Sequence, residues 1–365
     1  MFSSDQRAAR GFSYVEVLIA LTILLAAMGP LLHVAASAQR LARSHGEATD
    51  LHQRVRVAAT RLQRDVANAG AGAIRGPVSE SLARHLAPLV PARTGARAPD
   101  PPLSAFSDRL SIVYVAQDAW PAPLAVDMSD PSQPIPIGVG PGCPPAGLCG
   151  FVDGTRALIM DAREVGGGHD LFTVTGIAGE LSHDPPNPPL HRAYRAATSI
   201  VVPVVQRVYY LDRAGRRLMV YDGYQTDMPL VDNVVDVRFA FFADASPASV
   251  ARPSGLSGSC VYDAGSPPAP RLADFGREGL HELTVSELTD GPICGAGPAA
   301  FDGDLLRIRL VRVTLRLEAA AADVRGIGPL FARPGRSASG YSYVPDHELT
   351  FDIAPRNLTP AVLGR

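Results

Sequence analysis

The hydrophobic pattern begins with a long apolar segment, which an amphipathic segment follows. Residues 17–38 contain no Asp, Glu, Lys or Arg. A helix of about 22 residues rises about 33 Å, and the hydrocarbon layer of a membrane is about 30 Å thick. From residue 41 to residue 69, apolar residues recur every three or four positions, and Arg61, Arg64 and Asp65 fall on other faces. We therefore expect one helix that crosses a membrane, continues as an amphipathic helix and ends near residues 68–72.

A potential helix breaker, Gly29-Pro30, interrupts the apolar segment. A proline inside a helix removes one backbone hydrogen bond, and its ring clashes with a carbonyl of the preceding turn. We expect a kink or a locally melted turn here. A simple kink that the helix tolerates explains the pair equally well.

After residue 72 the pattern changes to alternation, which is typical of half-buried strands. The parity of the apolar positions switches at Leu310–Val311, which predicts a bulge, and Ala214-Gly215 predicts a hairpin turn. Many strands after one helix, without regular strand–helix alternation, predict an α+β fold in which the helix packs on the antiparallel sheet of a β-rich head, residues 73–365. The strand candidates are residues 109–116, 155–161, 170–175, 199–212, 216–222, 235–242, 305–318 and 347–353.

The composition limits the classes of function. The chain has 365 residues, 46% of them hydrophobic, which is enough for one or two domains with a real core. The net charge of −2 gives no general attraction to nucleic acid or to anionic surfaces, and no nucleic-acid site is identifiable. All 34 basic residues are Arg, which indicates a coding bias rather than a phosphate-binding device. The 34 Gly and 33 Pro indicate long ordered loops between the periodic segments.

Four cysteines, all in Gly/Pro-rich loops, predict two disulfides if the chain is exported. We expect Cys143 to pair with Cys149, and Cys260 with Cys294, because each pair shares one loop region. Zinc is the alternative, but no CxxC pair and no His-x-x-x-His spacing is present.

Other candidate chemistry is weak. Asp302 and Asp304 offer two carboxylates to calcium, but without the EF-hand spacing a turn that precedes a strand is the better interpretation. Residues 166–169 are Gly-rich, yet they lack the Lys and Ser/Thr of a phosphate loop and predict a flexible loop. No His lies in a motif of nucleophilic or metal catalysis, so we expect no enzyme and no cofactor.

The strongest signal is at the N-terminus. Arg7 and Arg10 precede Gly11 and Phe12, and Glu16 lies at the start of the apolar segment. A carboxylate in a membrane-spanning helix costs about 2.5–3.5 kcal/mol at the bilayer centre, so such a residue usually has a partner. Three other N-terminal signals are alternatives. They are a secretory signal peptide cleaved at residues 35–38, a lipoprotein signal and a plain signal anchor. The lipoprotein signal lacks the Cys that it requires. None of them accounts for Glu16.

The stretch Gly11-Phe12-Ser-Tyr-Val-Glu16, followed by an apolar segment, resembles the class III leader of type IV prepilins and pseudopilins. The resemblance implies that residues 1–11 are a leader, which the prepilin peptidase removes between Gly11 and Phe12. It also implies that Phe12 is N-methylated and that Glu16 is the assembly carboxylate. Residues 12–38 would then form the transmembrane and assembly helix, and residues 39–72 its amphipathic periplasmic continuation.

Later segments resemble PilW-type minor pilins and the J-type minor pseudopilins of type II secretion. They are RLQRDVANAG at residues 61–70, and VQRVYYLDRAGRRLMVYDG, PLVDNVVDVRFAFF and RIRLVRVTLRLEA in the second half. The resemblance implies a non-enzymatic minor pilin in the bacterial inner membrane, with its head in the periplasm, which assembles into or primes a pilus at the cell surface. Its partners would be other pilins, the prepilin peptidase and the inner-membrane assembly platform. The alternatives are a minor pseudopilin and, in another class, a membrane-anchored adhesion or binding module that does not polymerise.

Overall fold

We describe the fold from a computed structural model. The described residues are 11–72, 81–140, 143, 148–164, 168–184, 190–246, 250, 252, 258–276, 279–337 and 343–358. Residues 1–10 of the expected leader lie outside them.

The chain forms one α-helix and then strands. Helix α1 spans Tyr14–Asn68. The strands are β1 (Leu89–Val90), β2 (Arg109–Tyr114), β3 (Ala122–Pro123), β4 (Arg156–Asp161), β5 (His169–Ile177), β6 (Leu181–Asp184), β7 (Ser199–Pro203), β8 (Val205–Asp212), β9 (Arg217–Tyr221), β10 (Asp227–Asp232), β11 (Val234–Asp244), β12 (Leu280–Glu282), β13 (Ile293–Cys294), β14 (Phe301–Asp302), β15 (Ile308–Leu317) and β16 (His347–Ile353). Short 3₁₀ turns cover Leu82–Arg84, Gly297–Ala299, Gly303–Arg307 and Arg356–Leu358.

Helix α1 is continuous through Gly29 and Pro30, so the backbone is not melted there, and a bend at this point stays a prediction. The helix ends at Asn68, inside the expected range. Gly70 follows with φ +73°, a left-handed conformation that glycine adopts without strain. The amide of Asn357 donates to the carbonyls of Asn68 and Ala69, which satisfies two acceptors at the helix C-terminus.

The contacts within the chain define two compact units. The first comprises Met1–His52 and Ala319–Asp346, and the second comprises Gln53–Glu318 and His347–Arg365. In the first unit, the Glu47 carboxylate accepts a hydrogen bond from the amide of Ala320 at 3.0 Å. Arg43 lies 3.6 Å from Asp323. These contacts attach a C-terminal segment to the helix, which the alternating pattern of the sequence did not indicate.

The second unit contains antiparallel sheets, so the fold is α+β. One five-stranded sheet has the order β1-β2-β8-β9-β10, and the other has the order β3-β7-β4-β5-β6. A four-stranded sheet has the order β12-β11-β15-β16, and β13 pairs with β14. All strand pairs between the described residues are antiparallel.

Strand β4 is buried on both faces. Ala157 and Ile159 lie in one core cluster, and Leu158 and Met160 lie in another. Because successive side chains point to opposite faces, a strand with two buried faces has a continuous apolar sequence. This explains the run from Ala157 to Met160.

Two strand predictions need correction. The expected strand at residues 199–212 is two strands, because Pro203 has no amide hydrogen to continue a ladder. β7 pairs with β4 in one sheet, whereas β8 pairs with β2 in the other. The expected strand at residues 305–318 begins with the 3₁₀ turn at Gly303–Arg307.

The bulge is present one residue before the parity switch. Phe242 pairs with Leu310 and Ala243 pairs with Ile308, so Arg309 is the extra residue. The change of parity in the sequence therefore reports a real irregularity of the β11–β15 ladder.

Candidate assembly site at the start of helix α1

Ser13 and Glu16 form the local structure of the helix N-terminus. The carbonyl of Ser13 accepts the first helical hydrogen bond from the amide of Val17 at 3.1 Å. In return, Oε2 of Glu16 accepts a hydrogen bond from the amide of Ser13 at 2.9 Å. This is one half of a capping box, whose signature S-x-x-E is present as Ser-Tyr-Val-Glu. Our sequence interpretation missed this role of Glu16, although the signature was available.

The capping bond leaves part of the Glu16 carboxylate free. Oε2 is used locally, whereas Oε1 has no partner among the described residues. The N-terminus of a helix carries a partial positive charge, which favours a carboxylate in the first turn. Glu16 therefore combines a local role at the helix N-terminus with one oxygen that can accept a second hydrogen bond.

The residues on either side of the expected cleavage point are accessible. Gly11 and Phe12 precede the helix and are exposed, and 87% of the Phe12 surface is free. An exposed segment outside the helix is accessible to a peptidase. The structure thus places Gly11, Phe12 and Glu16 together at one accessible end of helix α1.

The apolar half of the helix is exposed on every side. Helix α1 is long and apolar enough to cross a membrane, by length and composition, and none of its most apolar window is buried. The exposed large side chains there are Val17, Leu18, Ile19, Leu21, Ile23, Leu24, Leu25, Met28, Leu31, Leu32 and Val34. A large exposed apolar surface marks contact with membrane or protein.

Asp65 is a buried acid in the other half of the helix, with 1% of its surface exposed. It accepts hydrogen bonds from the hydroxyls of Tyr209 at 2.6 Å and Tyr114 at 3.3 Å, and it pairs with Arg61 at 3.1 Å. Burial and the nearby carboxylate raise the pKa of Tyr209 above its ordinary value. Our assignment of Asp65 to a face away from the apolar stripe was wrong. Arg61 lies four residues earlier on the same helix, whereas Tyr114 and Tyr209 lie on strands β2 and β8, far away in sequence.

The four cysteines form two disulfides in the structure, Cys143–Cys149 and Cys260–Cys294. This is the pairing that the shared loops favoured. The first bond joins residues that are 6 apart, and the second joins residues that are 34 apart.

The weak calcium candidates Asp302 and Asp304 lie together, with the exposed Asp290 as a third carboxylate. Most of their oxygens already have partners. Asp302 accepts hydrogen bonds from the amides of Gly291 and Asp304, and Asp304 pairs with the buried guanidinium of Arg307 at 2.8 Å. Burial raises the pKa of Asp304 to about 6, and Arg307 opposes that rise. A cation bound here would compete with Arg307.

Residues 166–167 of the Gly-rich segment lie outside the described residues, whereas Gly168 and His169 are described. His169, which we assigned to a flexible loop, begins β5 and is buried. Burial, together with the neighbouring His85 and His191, lowers the pKa of His169 to about 4. Next to it, Asp170 accepts hydrogen bonds from the His191 ring and the Tyr194 hydroxyl.

No protein family model, no curated protein and no solved structure matches the chain. Its function therefore rests on the residues and contacts described above.

Proposed function

We propose that this chain is a minor subunit of a type IV pilus, structural rather than enzymatic, which residues 12–38 hold in the bacterial inner membrane before assembly. The observation that carries the proposal is the position of Glu16. Its carboxylate lies in the first turn of a helix, and the apolar segment that follows is exposed on every side.

Processing would create the partner of this carboxylate. Removal of residues 1–11 by a prepilin peptidase leaves Phe12 as the first residue, with a positively charged amine that is then methylated. Phe12 lies outside the helix and is exposed, which supports access by the peptidase. Before cleavage the Phe12 nitrogen is an uncharged amide, so only the processed chain offers a cation.

Assembly would pair this amine with Glu16 of a neighbouring copy or of another pilin. A lone carboxylate in the membrane is costly, and a charge pair with good geometry offsets the desolvation of both groups. The free Oε1 of Glu16 is available for this contact. The apolar surface of residues 17–34 would contact lipid before assembly, and neighbouring helices on the inner-membrane platform afterwards.

The first test is mass spectrometry of the protein purified from the membrane of its own host. We expect the mature chain to begin with N-methylated Phe12. A chain that begins at Met1, or at a residue after 38, would contradict processing by the prepilin peptidase. A deletion strain separates a pilus subunit from a minor pseudopilin. Deletion of a pilus subunit should remove pili in electron micrographs, whereas deletion of a minor pseudopilin should abolish secretion in a secretion assay.

The second test separates the charge of Glu16 from its capping role. In Glu16→Gln the amide oxygen can still accept the Ser13 hydrogen bond, since Gln also serves in a capping box, but the negative charge is gone. We expect normal cleavage and at least a tenfold loss of filament incorporation in a shear-fraction immunoblot. Asp50→Asn, an acid-to-amide change on the exposed surface of the same helix, is the matched control and should assemble normally. Normal assembly of Glu16→Gln would favour a membrane-anchored binding module that does not polymerise.

A further inference from the structure

The second compact unit contains a cavity of about 680 Å³. Its volume falls in the range of sites for small molecules, about 300–1,000 Å³. It is lined by strands of both five-stranded sheets and by the segments around β13 and β14. Most of the lining side chains are apolar, among them Leu86, Val90, Leu171, Phe172, Phe301 and Leu305. The walls therefore suit a ligand with an apolar body.

The three acids that line the cavity are already engaged. Asp100 accepts hydrogen bonds from the Arg93 amide and the Arg109 guanidinium. Asp170 binds the ring and amide of His191 and the hydroxyl of Tyr194. The two oxygens of Asp302 accept backbone hydrogen bonds. None of these carboxylates is left to pair with a further cation.

The two arginines that line the cavity differ in whether they form an ion pair with a carboxylate. Arg93 pairs with Asp227 at 3.0 Å. Arg156 is half-buried, and its guanidinium is held by neutral groups, with Nε donating to Gln206 at 3.0 Å and Nη1 donating to Thr173 at 2.8 Å. Among the described residues it forms no ion pair, and its Nη2 has no hydrogen-bond partner.

The guanidinium of Arg156 is fixed in place before any ligand arrives. Gln206, which accepts from Arg156, itself donates to the hydroxyl of Thr94 at 2.8 Å. The charge of Asp222 also acts on Arg156, but Oδ1 of Asp222 accepts three backbone hydrogen bonds, from Tyr224, Gln225 and Thr226. Burial lowers the pKa of Arg156 to about 10, which leaves it charged at neutral pH. A half-buried cation that is hydrogen-bonded only to neutral groups is a favourable partner for a bound anion.

We propose that this cavity binds a small apolar carboxylate, with the carboxylate on Nη2 of Arg156 and the apolar body against the leucine and phenylalanine side chains. The carboxylate would complete the charge balance of the wall. The apolar body would gain affinity with each methylene group that it buries. This function of the head is separate from filament assembly and does not depend on Glu16.

Isothermal titration calorimetry on the full chain in phosphatidylcholine nanodiscs tests the proposal, with empty nanodiscs subtracted. The probes are octanoate and 1-octanol, which share an apolar body and differ in charge. We expect octanoate to bind at least tenfold more tightly, and we expect about fourfold tighter binding for each added methylene from hexanoate to octanoate, from about 0.8 kcal/mol per methylene. Equal affinity for the acid and the alcohol, or no binding of octanoate at millimolar concentration, would overturn the proposal.

Variants locate the carboxylate. Arg156→Gln should weaken octanoate binding tenfold or more and leave octanol unchanged, whereas Arg156→Lys, which keeps the positive charge, should retain the preference for octanoate. Arg207→Gln is the matched control, because Arg207 neighbours Gln206 on β8, points to the other face and does not line the cavity. Wild-type octanoate affinity in folded Arg156→Gln would refute the role of Arg156. If that variant does not fold, the acid-to-alcohol ratio of the wild-type chain still decides.

Discussion

His169 is a side chain whose protonation the fold opposes. The residue is 5% exposed at the start of β5, and its Nδ1 has no hydrogen-bond partner among the described residues. Burial is the main cause of its low pKa, and the positive charge that His85 and His191 can carry adds to it. The folded protein therefore holds His169 neutral at pH values where an unfolded chain would protonate it.

This gives a pH dependence of stability with a definite sign. The ordinary pKa of His is 6.5 and that of His169 is about 4, so between these values the unfolded state binds more protons. We expect the neutral His169 to contribute about 3 kcal/mol to the free energy of unfolding above pH 6.5. This contribution should be lost progressively as the pH falls from 6.5 to 4. Denaturant unfolding of the full chain at several pH values measures it. His169→Gln should reduce the change of the free energy of unfolding between pH 6.5 and 4. His45→Gln, at an exposed site, should leave that change as it is in the wild type.

At the scale of elements, the loops of the head depend on crosslinks more than the sheets do. The strands gain stability from their ladders and cores, whereas the elements that the structure describes between β11 and β15 are short, of two to five residues each. The Cys260–Cys294 disulfide crosslinks two parts of this region that are 34 residues apart. Nearby, Arg307 donates to the carbonyls of Asp244, Ala245 and Ala273, which holds the same region against the start of β15.

The two disulfides should therefore contribute unequally. A crosslink restricts the unfolded chain more when it closes a longer loop, so the bond across 34 residues should stabilise the fold more than the bond across 6. We expect Cys260→Ser with Cys294→Ser to lower the free energy of unfolding by about 4 kcal/mol, and Cys143→Ser with Cys149→Ser to lower it by about 2 kcal/mol. Chemical denaturation of both double variants measures the difference. Equal losses would show that native contacts, not chain entropy, dominate.

At the scale of the whole molecule, the N-terminal and the C-terminal parts of helix α1 have different surroundings. Residues 17–34 expose their apolar side chains, whereas in the second unit Val55, Ala58, Leu62 and Val66 of the same helix are buried. One half of this continuous helix is thus long and apolar enough to cross a membrane, whereas the other half contributes to a protein core.

We expect the globular part to fold without the N-terminal apolar segment, and a truncated chain tests this. A chain that begins at Gln39, exported by a separate signal peptide, should leave the membrane fraction and appear in the soluble periplasmic fraction. Its thermal unfolding should be close to that of the full chain, because the buried residues of the second unit are all retained. Membrane flotation and circular dichroism measure the two outcomes. Retention of the truncated chain in the membrane fraction would show that the head has its own membrane contact.

Features that depend on local pattern could be predicted from the amino-acid sequence alone. Helical periodicity predicted the end of α1 near residues 68–72, and the helix ends at Asn68. The strand predicted at residues 347–353 is β16. The parity switch at Leu310–Val311 predicted a bulge, which the structure places at Arg309. The motif from Gly11 to Glu16 is likewise local, and its proposed role needs no tertiary contact within the chain.

Which polar side chains are buried, and with which partners, became clear only from the three-dimensional fold. The sequence placed Asp65 on a face away from the apolar stripe, and only Tyr114 and Tyr209, brought in by β2 and β8, make its burial possible. In the same way, Arg156 is one arginine among 34 until the fold places it in the wall of the cavity, hydrogen-bonded to the neutral side chains of Gln206 and Thr173. The physical reason is that burial of a charge depends on partners distant in sequence, whereas the periods of helices and strands are set by neighbouring residues.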